Sequence, residues 1–357
     1  MRTMGYDFDI DFENIGIKKN NIFDYMADYN CIYTDSGRTC IKLVSQLFAG
    51  KEILVPAFSC FSVIYGFAYR VKPVFYAVNM DFTLNLDDIE KKITNQTAGI
   101  YITNYFGHRI NENDSKKIME LKRKYNLLIV EDNTQSLFSG KPTVGDYSIS
   151  SIRKWFPVPD GGVLYSKNDL SCINTNGIKR NSKQNKKLYP QVVKHLFLKE
   201  KLDIQPKYFV DMFADVEKEL DCYSDNNEKY LMSDFTEFMF KCNDVYSMIE
   251  KRKENEKILR SAINSPYLVH AIEKRNENEV PFNLPMYCTV REKMWNYLVD
   301  EFLIYPSVLW RTYLYDEVNN IGDTKKMGEQ IISFPVDQRY CKEDMLFLAD
   351  AINSFKI

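Results

Sequence analysis

The chain has 357 residues, of which 45% are hydrophobic and 27% are charged, and its formal net charge is −2. This length exceeds one typical core, so it predicts a larger and a smaller domain, and the composition excludes a disordered chain. The near-zero net charge gives no electrostatic reason to expect nucleic acid or an anionic membrane as a partner.

Targeting and metal-binding signals are missing from the sequence. Residues 1–16 are acidic and lack the apolar core of a signal peptide. No segment approaches the roughly 18 uninterrupted apolar residues of a membrane span. The eight cysteines are scattered without CxxC or Cys/His metal spacing. We therefore expect reduced thiols, no metal site and a cytoplasmic location.

Helix-like and strand-like segments alternate between residues 38 and 166. The helices are predicted at 39–48, 59–69, 87–93 and 114–125, and the strands at 52–55, 73–78, 99–103 and 127–130. Apolar strands that alternate with helices predict an α/β fold with a mainly parallel sheet sandwiched by helices. Ligands of such sheets bind at the carboxyl ends of the strands.

The composition changes after about residue 175, where Lys, Asn, Asp and Tyr become frequent. Helices are predicted at 241–259, 291–299 and 342–355, a strand or turn at 304–308 and a strand at 331–334. We predict a large domain at 1–175, a helical connection at 176–260 and a small α+β domain at 261–357.

An acid at a strand end and a lysine on a turn form the most informative pair. Asp132 follows the strand at 127–130, and Lys154 comes 22 positions later, ahead of the glycines at 161–162. This order suits pyridoxal phosphate (PLP), because a lysine amine forms a Schiff base with its aldehyde and an acid pairs with its protonated ring nitrogen. Most lysines are solvated surface groups, however, and the neighbouring Lys141 and Lys167 are alternatives for the linkage.

A candidate phosphate site precedes the first strong helix, in the sequence Ser36-Gly37-Arg38-Thr39. Gly37 would let the backbone approach an anion closely, and free N–H groups at the helix start would face that anion. Ser36 or Thr39 is equally expected to have the purely structural role of helix N-cap.

These motifs, taken in order, resemble the DegT/DnrJ-type sugar aminotransferases, a family of fold-type I PLP enzymes. Further segments carry the resemblance between residues 34 and 345: VPAFSC at 55–60, KPVF at 72–75, YFG at 105–107, EDNTQ at 131–135, DGG at 160–162 and FPVDQRY at 334–340. The joint order of these motifs is more specific than any one of them.

The resemblance implies an activity and a set of roles. The protein would be an aminotransferase that moves an amino group from an amino acid donor to a keto acceptor, namely a nucleotide-linked keto sugar of surface polysaccharide biosynthesis. Lys154 would be the Schiff-base and proton-transfer lysine, Asp132 the partner of the ring nitrogen, and Gln135 the contact of the phenolic oxygen. The implied phosphate contacts are Gly37, Arg38 and Ser151. The family also implies a homodimer with the active site near the interface.

The sequence departs from the family at several positions. Cys60 stands where the family has an aromatic residue that stacks on the cofactor, and Phe58 or Phe61 is the expected substitute. Lys229 to Met232 replace a motif whose Asn and Arg reach across the dimer. The loop before the lysine is shorter than usual, and it ends in Ile152-Arg153.

Two candidate substrate residues follow the predicted strand at 304–308, where the family's C-terminal domain faces the cofactor. They are Trp310 and Arg311. Arg311 could hold a donor carboxylate or an anionic acceptor through two parallel hydrogen bonds, or it could be an ordinary surface arginine.

Alternative functions remain open. One is a different PLP-dependent reaction, although the sugar dehydratases of this superfamily replace the lysine with histidine, so Lys154 argues against dehydration. Another is a catalytically idle fold-type I binding protein. A nicotinamide oxidoreductase is disfavoured, because no GxGxxG motif follows any predicted strand.

Overall fold

The computed structural model describes residues 3–10, 12, 15–68, 70–180, 183–200, 203–222, 228–310 and 316–357. The strands in these ranges are β1 Met4–Gly5, β2 Asn30–Thr34, β3 Glu52–Pro56, β4 Lys72–Tyr76, β5 Thr97–Thr103, β6 Leu128–Asp132, β7 Tyr147–Ser150, β8 Gly162–Ser166, β9 Leu268–His270, β10 Leu284–Cys288, β11 Ile304–Tyr305 and β12 Ile331–Phe334. The helices are α1 Ile22–Tyr25, α2 Gly37–Val44, α3 Phe61–Ala68, α4 Leu86–Lys92, α5 Glu112–Tyr125, α6 Leu188–Lys199, α7 Pro206–Cys222, α8 Asp234–Lys241, α9 Val245–Ala262, α10 Arg291–Phe302, α11 Asp316–Asn319, α12 Thr324–Gln330 and α13 Lys342–Ser354.

The central sheet has seven strands in the order β2-β8-β7-β6-β5-β3-β4. The pairs from β4 through β3, β5 and β6 to β7 are parallel, whereas β8 runs antiparallel to both β7 and β2. The predicted mainly parallel sheet is therefore confirmed. The carboxyl ends of β2, β3, β5, β6 and β7 meet at one edge, together with the amino end of β8.

Helices cover both faces of this sheet. Leu54 and Ile100 pack with residues of α4 and α5 on one face. Ile53, Val55 and Tyr101 point to the other face and pack with residues of α2 and α3. Successive strand residues thus enter opposite cores, which is why these strands are apolar throughout instead of alternating with polar residues.

The C-terminal part contains a second, smaller sheet. Strands β9, β10 and β12 pair antiparallel, with β10 in the middle. Leu259 of α9, Leu298 of α10 and Leu348 of α13 pack in the core beside it. This agrees with the expected α+β character, while the boundaries at 175/176 and 260/261 stay predictions.

Some predicted elements differ from those observed. The helix predicted at 241–259 was wrong at its start, because α8 ends at Lys241 and α9 begins at Val245. Asp244 separates the two helices, since its side chain accepts a hydrogen bond from the Ser247 N–H at 2.8 Å and caps α9. Strands β1, β2, β7, β8, β9 and β10 were not predicted. Within the described ranges, no helix is both long enough and apolar enough to cross a membrane.

Candidate active site

A cavity of about 260 Å³ opens at the carboxyl edge of the central sheet. We call it the Lys154 cavity. Its wall brings together residues that are distant in sequence, among them Ser36, Gly37, Arg38, Cys60, Phe61, Asp132, Gln135, Ser151, Arg153, Lys154, Lys187, Glu217 and Trp310. The strand-end acid and the turn lysine singled out by the sequence therefore line one cavity.

Asp132 ends β6 and is held in place by two donors. Its Oδ2 accepts a hydrogen bond from the Tyr101 hydroxyl at 2.8 Å, and its Oδ1 accepts one from the Thr134 N–H at 2.9 Å. Complete burial and the neighbouring Asp132 charge raise the pKa of Tyr101 well above its ordinary value. The Tyr101 phenol therefore stays protonated and donates to the carboxylate, which fixes the orientation of Asp132.

Glu131, the residue before Asp132, organises the sheet edge from inside the protein. It is fully buried. Its Oε1 accepts hydrogen bonds from the N–H groups of Thr143, Val144 and Gly145 at 2.9, 2.7 and 2.8 Å, and its Oε2 lies 3.1 Å from Arg109 Nη2. One carboxylate thus ties the loop that enters β7 to the end of β6.

Lys154 lies on a single 3₁₀ turn, Ile152–Lys154, directly after β7. The N–H of Arg153 in this turn donates to the carbonyl of Gly161, and the N–H of Gly161 donates to the carbonyl of Asp35. Gly161 has a φ of +125°, which only glycine adopts readily. The lysine turn is therefore anchored to the start of β8 and to the end of β2. Lys141 and Lys167, the alternatives for the linkage, are exposed and do not line the cavity.

The Ser36–Arg38 turn begins α2 beside the same cavity. Ser36 is confirmed as the N-cap, because its side chain accepts a hydrogen bond from the Thr39 N–H. A Cβ atom added to Gly37 would lie 3.2 Å from the Ser151 Cβ, so glycine permits close approach of α2 to the chain after β7. Arg38 donates to Ser62 Oγ at 3.1 Å and lines the cavity. The three residues expected to contact a phosphate are thus brought together.

Gln135 is oriented by the backbone. Its Oε1 accepts a hydrogen bond from the N–H of Phe106 at 2.7 Å. Because an N–H group requires an acceptor, this contact assigns the oxygen to that side. The amide NH₂ group has no hydrogen-bond partner among the described residues, and it remains to donate in the cavity that Gln135 lines.

The two candidates for the stacking aromatic occupy different places. Phe61 lines the Lys154 cavity, as does Cys60. Phe58 is fully buried in a cluster with Phe82, Tyr105 and Trp310, and it does not line the cavity. The structure therefore favours Phe61 over Phe58 as the ring nearest to a bound ligand.

Of the two candidate substrate residues, Trp310 lines the Lys154 cavity, and the centroid of its ring lies 5.3 Å from that of the buried Phe58. Arg311 lies outside the described residues.

The altered segment at 229–232 packs against its own chain beside the Ser36–Arg38 turn, because the carbonyl of Tyr230 accepts a hydrogen bond from the Asp35 N–H at 3.0 Å.

Lys187 and Glu217 were missed by the sequence analysis. Lys187 is 2% exposed, and its amine contacts the Glu217 carboxylate. Burial lowers the pKa of Lys187 to about 8. Burial alone would raise the pKa of Glu217, but Lys187 and Arg153 together lower it to about 2. Nothing in the local pattern around either residue signals this contact between a buried lysine and a partly exposed glutamate, which forms between the start of α6 and α7.

The charges around the cavity are unbalanced. Four side chains that carry positive charge and two carboxylates line it within the described residues: Arg38, Arg153, Lys154 and Lys187 against Asp132 and Glu217. The excess of two positive charges would be compensated by a dianion such as a phosphate group.

Comparison with known proteins agrees with this geometry. Residues 19–187 match the DegT/DnrJ/EryC1/StrS aminotransferase family. A segment of 141 residues is 30% identical to part of GDP-perosamine synthase of Escherichia coli O157:H7. This match covers 36% of this chain and 38% of that protein. The match thus spans little more than a third of the length of this curated relative.

The whole fold is similar to solved aminotransferase structures. The aminotransferase TlmJ from Streptoalloteichus hindustanus superimposes with a TM-score of 0.66 at 14% identity, over 93% of this chain and 88% of TlmJ. The PLP form of the putative sugar aminotransferase Spr1654 from Streptococcus pneumoniae has a TM-score of 0.65 at 15% identity, over 91% of this chain and 86% of Spr1654. The expected fold-type I architecture is confirmed by these similarities.

Proposed function

We propose that the protein is a PLP-dependent aminotransferase, and the match of residues 19–187 to the DegT/DnrJ/EryC1/StrS aminotransferase family supports this proposal. It takes an amino group from an amino acid and transfers that group to the keto carbon of a small acceptor. One observation carries the proposal: Asp132 on β6 and Lys154 on the turn after β7 line the same cavity at the carboxyl edge of the sheet.

The residues of the Lys154 cavity fit PLP group by group. PLP carries a phosphate, a phenolic oxygen, a ring nitrogen and an aldehyde. The start of α2, with Arg38 and an excess of two positive charges in the cavity wall, suits the phosphate. The Gln135 NH₂ group suits the phenolic oxygen, Asp132 the ring nitrogen and Lys154 the aldehyde.

Asp132 and Lys154 would each have a separate role in catalysis. When bound, PLP supplies an electron sink that stabilises negative charge on the substrate carbon beside the transferred nitrogen. Asp132, fixed by Tyr101 and Thr134, supplies the negative charge that keeps the ring nitrogen protonated. The amine of Lys154 would take a proton from one of the two carbon atoms bonded to the transferred nitrogen and deliver it to the other.

The acceptor in this proposal is a nucleotide-linked keto sugar used in surface polysaccharide biosynthesis. Its support is the family match and the similarity to GDP-perosamine synthase. Protein preloaded with the amine form of the cofactor would be offered nucleotide-linked keto sugars and simple keto acids. Amino transfer to keto acids alone would show that the sugar assignment is wrong.

A homodimer and a cytoplasmic location belong to the same proposal. The family resemblance supports the dimer. The seven cysteines whose side chains are described are free thiols, as expected in a reducing compartment. Sedimentation of the active protein as a monomer would contradict the dimer.

The decisive experiment maps the cofactor linkage. PLP-loaded protein would be reduced with borohydride and digested, and its peptides would be analysed by mass spectrometry. We expect the cofactor mass on the peptide that contains Lys154. Lys187 is the informative competitor because it lines the same cavity. The exposed Lys167 provides a control: Lys167→Gln should retain the label and Lys154→Gln should lose it. A label on Lys187 would overturn the assignment.

Two other results would redirect the function. Protein that takes up no PLP would be an idle binding protein of this fold. Protein that links PLP at Lys154, but never converts it to the amine form with any amino acid offered, would catalyse a different PLP reaction.

A further inference from the structure

A second cavity, of about 280 Å³, adjoins the Lys154 cavity, and we call it the Arg252 cavity. The two cavities share Arg153, Lys154 and Glu217 in their walls. The rest of the Arg252 cavity is formed by other elements, including residues 5–8, α7, α9 and the chain after β12. A molecule in this cavity can therefore reach Lys154 without occupying the space next to Asp132.

Arg153 has unused hydrogen-bond donors at the junction of the two cavities. Its guanidinium lies 3.7 Å from a carboxylate oxygen of Asp7 and 3.7 Å from one of Glu217. Both separations exceed a normal hydrogen-bond length. Among the described residues, no acceptor forms a hydrogen bond with the Arg153 side chain, which is 15% exposed. Arg153 thus forms ion pairs with both carboxylates, but its N–H groups make no hydrogen bond within the described residues and can donate to a ligand.

Arg252 is a second guanidinium in the wall of this cavity, and it is 1% exposed. Its Nε donates to Gln338 and its Nη1 donates to the carbonyls of Pro281 and Phe282. Nη2 has no hydrogen-bond partner in the described part of the chain. Burial lowers the pKa of Arg252 to about 10. The nearby carboxylate of Asp337 is already engaged by Arg339 at 2.8 and 2.9 Å.

The donors and size of the Arg252 cavity suit the carboxylate of one small molecule. Apart from the three residues that it shares with the Lys154 cavity, its described wall carries Arg252 and Arg339 against Asp7 and Asp337, so this part of the wall has no net charge and selects a carboxylate through hydrogen-bond donors. Its volume lies just under the range of roughly 300–1,000 Å³ that is usual for sites of drug-sized ligands. An amino acid is of suitable size, whereas a complete nucleotide-linked sugar would exceed this space.

We propose that Arg153 and Arg252 bind the carboxylate of the amino acid donor in the Arg252 cavity, so that its amino-bearing carbon faces Lys154. This inference rests on the proposed aminotransferase function. Arg153 immediately precedes the lysine, so carboxylate binding and alignment with Lys154 are set by the same turn. The flat guanidinium fork matches the two oxygens of a carboxylate.

The test measures binding separately from catalysis. The probe is 2-aminoisobutyrate, an amino acid without a hydrogen on its central carbon, titrated by calorimetry into PLP-loaded protein. A lost charge-assisted hydrogen bond predicts a dissociation constant about 10- to 100-fold higher in Arg153→Gln. Arg153→Lys should recover part of the loss. Arg180→Gln, at an exposed arginine outside both cavities, should leave binding unchanged.

Arg252→Gln should weaken the binding of 2-aminoisobutyrate to a similar extent. Because Arg252 also holds two backbone carbonyls, this variant could fail to fold, and the Arg153 variants then decide alone. Unchanged probe binding in Arg153→Gln would overturn the inference. Weaker binding of GDP with unchanged binding of 2-aminoisobutyrate would also overturn it, since the arginines would then serve the acceptor.

The absorbance spectrum separates this inference from the proposed function. If PLP links to Lys154 but the arginine variants bind the probe normally, only the donor site is wrong. If PLP does not link, the aminotransferase proposal fails. The titration is then repeated without PLP, where the carboxylate still meets both arginines, and its outcome decides the carboxylate site independently.

Discussion

Replacement of Glu131 by Gln should destabilise the protein strongly. The carboxylate accepts five hydrogen bonds: three from the backbone at 143–145 and one each from Asn104 and Arg109. A glutamine has one acceptor oxygen and one NH₂ group. Whichever way the amide turns, its NH₂ faces other donors, and Arg109, only 8% exposed, loses its carboxylate partner.

The expected loss follows from the burial of this pair. Removing one partner of a buried ion pair costs about 3–5 kcal/mol, and leaving a buried N–H group unsatisfied costs about 1–3 kcal/mol. Because these costs overlap, we expect the free energy of unfolding to fall by about 3–5 kcal/mol in Glu131→Gln. Urea denaturation with an unchanged m-value would measure this loss.

A matched control is available on α9. Glu254→Gln breaks an exposed pair with Lys251, in which the two side chains are 55% and 37% exposed, and should change stability by less than about 1 kcal/mol. Hydrogen exchange at 143–145 should accelerate in Glu131→Gln alone. A loss below about 1 kcal/mol, with exchange unchanged at these three amides, would refute the central role of Glu131.

Three further predictions concern the site and its surroundings. Asp132→Asn should still bind PLP, as seen by absorbance, but lose most transamination, because the charge that keeps the ring nitrogen protonated is gone; near-normal turnover would reduce Asp132 to a structural role. Gly161→Ala should lower thermal stability by about 1–3 kcal/mol, since its φ is +125° and the new Cβ would lie 2.9 Å from the Phe240 ring; an unchanged melting temperature would contradict this. Burial lowers the pKa of Lys194 from 10.5 to about 7, so between those pH values the unfolded chain binds one more proton than the folded protein. Stability should therefore rise by up to about 1.4 kcal/mol per pH unit there, and Lys194→Met should reduce this slope when urea denaturation is repeated from pH 7 to 9; an equal slope in both proteins would exclude Lys194 as its source.

The sequence by itself determined the parallel part of the sheet and the place of its acid and lysine. Strands β3 to β6 are short apolar runs that alternate with helical periods, and this local pattern is enough to predict them. Asp132 ends one such run, so its position at the carboxyl edge follows from strand direction. Lys154 follows from spacing and from the family resemblance, and Ser36 from the composition preferred at a helix start.

Only the tertiary structure decided which distant groups meet these residues. Strand β2, with the mixed sequence NCIYT, is stabilised by pairing with β8 more than 100 residues away, and no local pattern reveals such a partner. The same holds for the hydrogen bond from Tyr101 to Asp132 and for the contact between Lys187 and Glu217. Whether Phe58 or Phe61 faces the cavity depends on side-chain packing after β3, because two phenylalanines three positions apart differ in burial only once the neighbouring elements are in place. Local sequence sets the periodicity of each element, whereas long-range packing sets which side chains share a cavity.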